Sequence, residues 1–323
     1  MSDRAPAAGM GPWFSDDPMV SVPTAAGALN AIYGGFCNTT ESRQLAQDLE
    51  VMWPPLRTHA FAGRAVLSRM VRYLLAAGIE QFIDVGGGVA QYGATHEIIA
   101  DESTALRFPS HTPNRDDRLH RQARLVYVDI DPVTTDVNRR HICDLPWATA
   151  VVGDLLHPWT FLNHPTVNDL LDLGRPVGVL LLGVLHHLPG PSPAHAIRTI
   201  ADALTIGSHL AVSHLAVDPD PRGAAAQRNA ADLFARTPTP LHLRHPHAIA
   251  ELLHDPRLPG MHLVEPGLVP AHHWHPDPDP DEPPTPAPHL LAAVAHLCPV
   301  PAQPGGRWGC TTVRRTATAG GSK

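Results

Sequence analysis

Apolar positions in the first quarter of the chain recur at helical spacing. Thr24 to Tyr33 reads as a short helix, capped by Thr24 and stopped at Gly34-Gly35. Glu41 to Trp53 reads as a second, closed by Pro54-Pro55. Arg57 to Ala77 is the third and longest. Its Leu67, Met70, Val71, Leu74 and Leu75 fall at i, i+3 and i+4 positions, and Gly78 follows as a C′ residue. Residues 1–22 carry no period and read as a loose arm.

The period then shortens. Five apolar runs read as strands: Ile79 to Asp84, Arg124 to Asp129, Thr149 to Val152, Val177 to Gly183 and His209 to Ser213. Helical stretches stand between them, at Tyr92 to Ala100, Pro132 to Arg140 and Ala194 to Leu204. Strands alternating with helices predict an α/β protein with a doubly wound parallel sheet. Residues 103–122 are polar and read as an inserted loop. Past Ala216 come two helix candidates, Ala224 to Arg236 and Pro246 to His254. Two late strands, His262 to Glu265 and Trp308 to Arg314, are expected as an antiparallel pair on the sheet edge, with Ala287 to Cys298 as an extra helix. Pro276 to Pro288 is acidic and opens a Pro-rich insert over 276–306. The expected organisation is an arm (1–22), a helical cap (23–78) and one α/β domain (79–323).

Composition narrows the function. The 323 residues are 43% hydrophobic and 17% charged, a globular balance, and the net charge of −7 argues against a nucleic-acid partner. No apolar run approaches the ~20 residues that cross a bilayer, and no h-region follows Met1-Ser2-Asp3-Arg4. The expectation is a cytoplasmic protein with no membrane partner. The cysteines are scattered and form no metal-type pair, which suits a reducing compartment. The only lysine is Lys323. That removes both the phosphate-loop lysine and Schiff-base chemistry.

The chemistry gathers at strand ends. After the first strand, Asp84-Val85-Gly86-Gly87-Gly88 makes a Gly-rich turn into a helix, the opening of a nucleotide-binding unit. Gln91 stands where a dinucleotide fingerprint has its third glycine, and a carboxylate at Asp84 would repel a pyrophosphate. S-adenosylmethionine has no phosphate and carries an ammonium and a sulfonium, so it suits this loop better. Asp84, Asp129 and Asp154 end three successive strands and would line one crevice. Asp129 can accept the ribose hydroxyls and Asp154 the adenine amine. Gly86, Gly87, Gly88, Ile130, Leu155 and Val184 are expected as backbone or adenine-wall contacts.

Asp84-Val85-Gly86-Gly87-Gly88, Val128-Asp129-Ile130-Asp131-Pro132, Gly153-Asp154 and Val184-Leu185-His186-His187 resemble the successive motifs of class I S-adenosylmethionine-dependent methyltransferases. More closely, the chain resembles a methyltransferase family of GC-rich bacteria long catalogued as a domain of unknown function. Arg72-Tyr73-Leu74, Thr95-His96-Glu97 and Val264-Glu265-Pro266-Gly267-Leu268-Val269-Pro270 extend the likeness from about Val22 to Arg314. The resemblance implies a Rossmann-like fold whose seven-stranded sheet ends in an antiparallel strand. The chain departs from the family at Phe36-Cys37, where a Lys-Asp pair is usual, in the length of 103–122, and at its Pro-rich end.

Methyl transfer needs alignment, and for an alcohol or ammonium it needs a base. His186 and His187 follow the fourth strand and are the candidate catalytic residues. Tyr33, Asn38 and His96 are weaker candidates for the wall around a small-molecule acceptor, which would suit secondary metabolism. His272-His273-Trp274-His275 is the densest of the histidine clusters, but no metal site is expected. Two alternatives stay open: a protein that binds S-adenosylmethionine without methylating, and a nicotinamide-dependent oxidoreductase. The sequence leaves the oligomeric state unassigned.

Overall fold

The computed structural model describes residues 22–91, 93–107, 123–276 and 286–299. Thr24 caps α1 (Ala25–Ile32) by accepting from the Gly27 amide, and Thr39 caps α2 (Thr40–Met52) through Ser42. The third helix, α3 (Leu56–Ala76), ends at Gly78 with φ +87°. The helices α1 and α2 pack on each other, and α2 also packs on α9 (Pro221–Phe234). Ile32, Leu49, Trp53, Leu215 and Phe234 share one apolar cluster, so the first two helices are closed from below by the end of β5 (His209–Leu215) and by α9.

The sheet is doubly wound. Parallel strands β1 (Gln81–Val85), β2 (Arg124–Asp129), β3 (Ala148–Val152), β4 (Gly178–Leu182) and β5 are joined by β8 (Leu290–Leu297), antiparallel to β5, and by β6 (Met261–Leu263), antiparallel to β8, in the order β3-β2-β1-β4-β5-β8-β6. A two-residue β7 (Val269–Pro270) also pairs with β8, so the count is eight rather than seven. Alternate residues of each strand feed opposite cores. Phe82, Leu125, Leu180 and Val294 meet Val66, Met70 and Leu74 of α3 and Ile98 and Ile99 of α4 (Thr95–Arg107). Ile83, Val126, Val179 and Val212 meet Ile197 and Ile200 of α8 (Ser192–Ala203), with α6 (Trp159–Leu162), α7 (Pro165–Leu170) and α10 (Pro246–Leu253) on the same face. The helix α5 (Pro132–His141) returns the chain from β2 to β3.

One expected element changes type. Ala287 to Cys298 holds β8, not a helix. Its Leu and Ala residues favour a helix locally, but Leu290 to Ala295 are all buried on both faces, beside β5 and beneath α3. A slot in the sheet overrides propensity. The partner of β6 is therefore β8, and Trp308 to Arg314 lies outside the described residues. The helix after the Gly-rich loop starts at Thr95, later than the pattern implied. Gly93 takes φ +73°, and Glu97 reaches back to accept from the amides of Gly93 (2.6 Å) and Ala94 (3.1 Å). Most of 103–122 and of the Pro-rich insert lies outside the described residues. Among the described residues, no helix is long and apolar enough to cross a membrane.

Candidate functional site

The strand order reverses between β1 and β4, and crevices form at such switch points, outside the carboxyl ends of the strands. The loop after β1 fills this one. Its first amide, from Gly86, donates to the Val128 carbonyl at 2.7 Å. Gly86 takes φ +67°, and a Cβ there would overlap the Val184 side chain, so only glycine fits. Asn138 on α5 clamps the far side of the loop. It accepts from the Ala90 amide (2.8 Å) and donates to the Gly88 carbonyl (2.9 Å).

The three strand-end acids sit in different settings. Asp84 is buried behind the loop and accepts from the Thr95 hydroxyl at 2.6 Å. Burial raises its pKa above the usual carboxylate value, opposed by Thr95 and by the Arg64 guanidinium. Asp129 accepts from the Asp131 amide at 2.9 Å. Burial lifts its pKa to about 7; the amides of Asp131 and Gly88 oppose that, and the charges of Asp131 and Asp84 add to it. Asp154 is partly exposed and braces its own turn by accepting from the Leu156 amide at 2.8 Å.

These acids line one cavity of about 310 Å³, together with Gly86, Gly87, Gly88, Ile130, Leu155 and Val184. The volume is in the range of small-molecule sites. The cavity runs on past the loop, beneath α1 and α3, to Leu215, Phe234 and the Pro238–Leu241 segment. Tyr33, His186 and His187 stand in its wall. Asn38 and His96 do not. Asn38 is buried behind Asn30 and donates to the Asn30 side chain and the Gly35 carbonyl, both at 2.7 Å, which ties the turn after α1. His96 turns to the Tyr127 hydroxyl, 2.9 Å from its Nδ1. The motifs that carry them, Gly34 to Asn38 and Thr95-His96-Glu97, do not fix which way a side chain faces.

The paired histidines differ in their protons. His187 Nδ1 lies 3.1 Å from the carbonyl oxygens of Thr239 and Pro240, so it donates, and Nε2 keeps the lone pair. His186 Nδ1 instead faces the Leu215 amide at 3.4 Å, which leaves the proton on Nε2. Burial lowers both pKa values. Behind them His214 donates from Nδ1 to the Leu215 carbonyl (2.9 Å) and accepts from Arg244 at 3.1 Å; burial brings its pKa to about 4. Arg244 also donates to the carbonyls of Leu185, Leu188 and Gly190, holding the turn after β4 in place.

Most of one wall of the cavity is not written in the sequence pattern. Leu56, His59, Ala60, Gly63, Arg64 and Leu67 form a stripe of α3 that faces the cavity. The apolar period of this helix marks its sheet-facing stripe, which the cavity stripe meets only at Leu67; the rest of the cavity stripe carries the same i, i+3, i+4 spacing with mostly smaller and polar residues. Arg64 is the sole cationic Lys or Arg among the lining residues. It lies over the Tyr33 ring at 4.8 Å, donates to the Val89 carbonyl at 3.4 Å, and makes no ion pair among the described residues. Phe36 is exposed, and Cys37 Sγ accepts from Nε2 of the Gln91 side chain at 3.3 Å, so the departed turn touches the outside of the loop rather than the cavity. In the His272–His275 segment, His272 accepts from the Ala287 amide and His275 donates to the Glu265 carbonyl, while Trp274 is buried. No group of three or more metal-ligating side chains converges among the described residues.

The comparisons agree with this geometry. The S-adenosyl methyltransferase family matches residues 15–298. The solved structure of a candidate methyltransferase from Thermobifida fusca YX is 30% identical, with a TM-score of 0.72, over 87% of this chain and 98% of its own. A DUF574 family protein from Streptomyces avermitilis MA-4680 is 27% identical, with a TM-score of 0.70, over 86% and 98%. No curated protein matches the chain. With the motifs at the carboxyl edge of a class I Rossmann-like sheet and the family matched over most of the length, the chain belongs to the S-adenosyl methyltransferases, enzymes whose cofactor is S-adenosylmethionine.

Proposed function

We propose that the enzyme methylates a small, mostly apolar acceptor held inside the cavity, with Asp129, Asp154 and the Gly-rich loop on the cofactor and His187 as the base. The observation that carries this reading is the charge pattern along one cavity. Its loop end holds Asp84, Asp129, Asp154 and a single guanidinium, Arg64. The cofactor has two cationic groups, one carboxylate and a diol, so this donor and acceptor set fits it. Gly86 and Gly88, both at positive φ, also leave the backbone bare where the ligand approaches. Arg64, beside the loop and free of any ion pair among the described residues, is the group to hold the methionyl carboxylate.

When bound, S-adenosylmethionine supplies a methyl group on a sulfonium, ready for in-line displacement. The chain's own residues do the rest. Asp129, ionised, accepts the ribose hydroxyls. Val184 and the turn after β4 close the wall beside them. His187, with Nδ1 fixed to two carbonyls, offers Nε2 as the acceptor of a proton, and its neutral state keeps that lone pair free. His186 presents an N–H and suits positioning. The inner walls are Leu29 of α1, Leu56 of α3, Leu215 of β5, Phe234 of α9 and Leu241 beyond it, which favour an apolar molecule and exclude a polymer.

Calorimetric titration with S-adenosylmethionine, S-adenosylhomocysteine and NAD tests the cofactor half. Binding of the two sulfur ligands, weakened in Asp129→Ala, is expected, with NAD silent. A screen of small phenols, amines and carboxylates for release of S-adenosylhomocysteine tests the acceptor half. Turnover confined to oligonucleotides or proteins would sink it.

A further inference from the structure

Among the described residues, six glycines line the cavity: Gly63, Gly86, Gly87, Gly88, Gly153 and Gly183. Five have a local reason to be glycine. Gly86, Gly88 and Gly183 take positive φ. A Cβ on Gly87 would stand 2.7 Å from Asp84 Oδ1, and one on Gly153 would stand 2.7 Å from Val128 Cγ1. Gly63 has neither reason. It lies in the middle of α3, where glycine is the poorest residue after proline. Within 4 Å, a Cβ there would meet a single atom of the described residues, Leu290 Cδ2 at 3.8 Å, which is ordinary van der Waals contact. Alanine would fit and would strengthen the helix.

The open space at Gly63 faces inward. One turn before and after it on the same stripe, His59, Ala60, Val66 and Leu67 are buried, while Phe61 on the outer face is exposed. Leu290, which a Cβ would touch, lines the cavity too and stands opposite Leu215 in the sheet. The space therefore lies over the end of β5 and the start of β8, away from β1 to β3, whose ends hold the three acids. Arg64, the next residue, turns instead to the Gly-rich loop, where it donates to the Val89 carbonyl. The reading above puts the transferred methyl beside the turn after β4. In the sheet, β8 is two strands beyond β4, about 10 Å at ~4.8 Å per strand. A single six-membered ring held at that turn falls short of Gly63.

We infer that Gly63 determines acceptor specificity: it keeps the far end of the acceptor site open, so the methyl acceptor is an extended apolar molecule, a fused or substituted ring system, whose end packs against α3 where a side chain would stand. The inference rests on the methyltransferase reading above and adds the length and shape of the acceptor. The walls at this end are Leu56 and Ala60 of α3 with Leu215 and Leu290 of the sheet, which offer apolar contact and no charge. Left empty, such a space forfeits dispersion contacts, and the glycine weakens the helix as well. A long acceptor restores the contacts. A short one leaves the far end unfilled and loses that share of apolar burial. A side chain at position 63 would exchange room for the acceptor for a stronger helix.

The test uses phenol and 2-naphthol, which differ by one fused ring. Each is titrated calorimetrically into the full-length protein saturated with S-adenosylhomocysteine, as wild type, Gly63→Ala or Gly63→Val. Wild type is expected to bind 2-naphthol about tenfold or more tighter than phenol. Gly63→Ala should keep part of that ratio and Gly63→Val should lose most of it, with S-adenosylhomocysteine affinity the same in all three. Without ligand, Gly63→Ala should melt about 1–3 °C above wild type, which separates a glycine kept for a ligand from one kept for packing. Should Gly63→Val not fold, the ratio and the melt of Gly63→Ala decide. No preference in wild type, a preference unchanged in the variants, a lower melting temperature in Gly63→Ala, a loss of S-adenosylhomocysteine affinity in step with 2-naphthol, or binding of neither probe while S-adenosylhomocysteine still binds would each overturn the proposal. Failure of wild type to bind S-adenosylhomocysteine at all would instead overturn the reading beneath it, and the proposal with it.

Discussion

Asp129 meets two opposed demands. Folding raises its pKa from 3.8 to about 7, so between those values the native state holds a proton that the unfolded chain has released. Its contribution to stability therefore falls as pH rises from about 4 to 7. The ribose hydroxyls need the ionised form, so affinity should rise over the upper part of that same window. Two outcomes follow. S-adenosylhomocysteine should bind more tightly as pH is raised through 7, and Asp129→Asn should flatten that profile and weaken binding by about 10- to 100-fold. The same substitution should raise the melting temperature of the ligand-free protein by about 2–4 °C at pH 8, with little change at pH 4. Calorimetry and a melting series across pH check both. At His187 the expectation is kinetic. With an acceptor that must lose a proton, His187→Ala should lower kcat by about 10²–10⁴-fold and leave S-adenosylhomocysteine affinity intact, and His186→Ala should cost less. Steady-state kinetics beside a binding titration separates the two.

Elements carry the site through contacts that span the chain. The loop between β1 and α4 is shaped from outside, by Asn138 of α5, which is 1% exposed. Asn138→Ala would leave the Ala90 amide and the Gly88 carbonyl without their partner, at a cost of about 1–3 kcal/mol for the buried Ala90 amide and less for the half-buried Gly88 carbonyl. Weaker cofactor binding and a lower melting temperature, measured together, are the expected result. Elements also mark where local pattern is readable. The capping threonines of α1 and α2, the glycine after α3, and the parallel strands β1 to β5 follow from residues a few positions apart. The strand β8 does not. Its Leu-Leu-Ala-Ala-Val-Ala run has helical propensity, and only β5 on one side and β6 and β7 on the other make it a strand. The same distance hid the cavity stripe of α3, since Arg64 owes its place to the loop after β1 and to the Tyr33 ring.

At the scale of the molecule, the sheet, the first three helices and α9 enclose one continuous cavity, and a ligand that binds it reports on the whole fold. S-adenosylhomocysteine at about a hundred times its Kd should stabilise the native state by about 2.7 kcal/mol, a rise in melting temperature of roughly 5–10 °C. A melt that ignores the ligand would deny the site. The amino-acid sequence by itself determined the α/β alternation, the Gly-rich loop and the three acids at strand ends. Each of these is written in residues adjacent in the chain, and the carboxyl edge of a parallel sheet brings strand ends together without further instruction. Tertiary structure alone decided that β8 is a strand, that Asn38 and His96 stand outside the cavity, and that His59 and Arg64 line it. It also set the opposite tautomers of His186 and His187. The tautomers depend on which backbone carbonyl or amide, tens of residues away, lies within hydrogen-bond reach, and a side chain's facing is fixed only when the surfaces around it close.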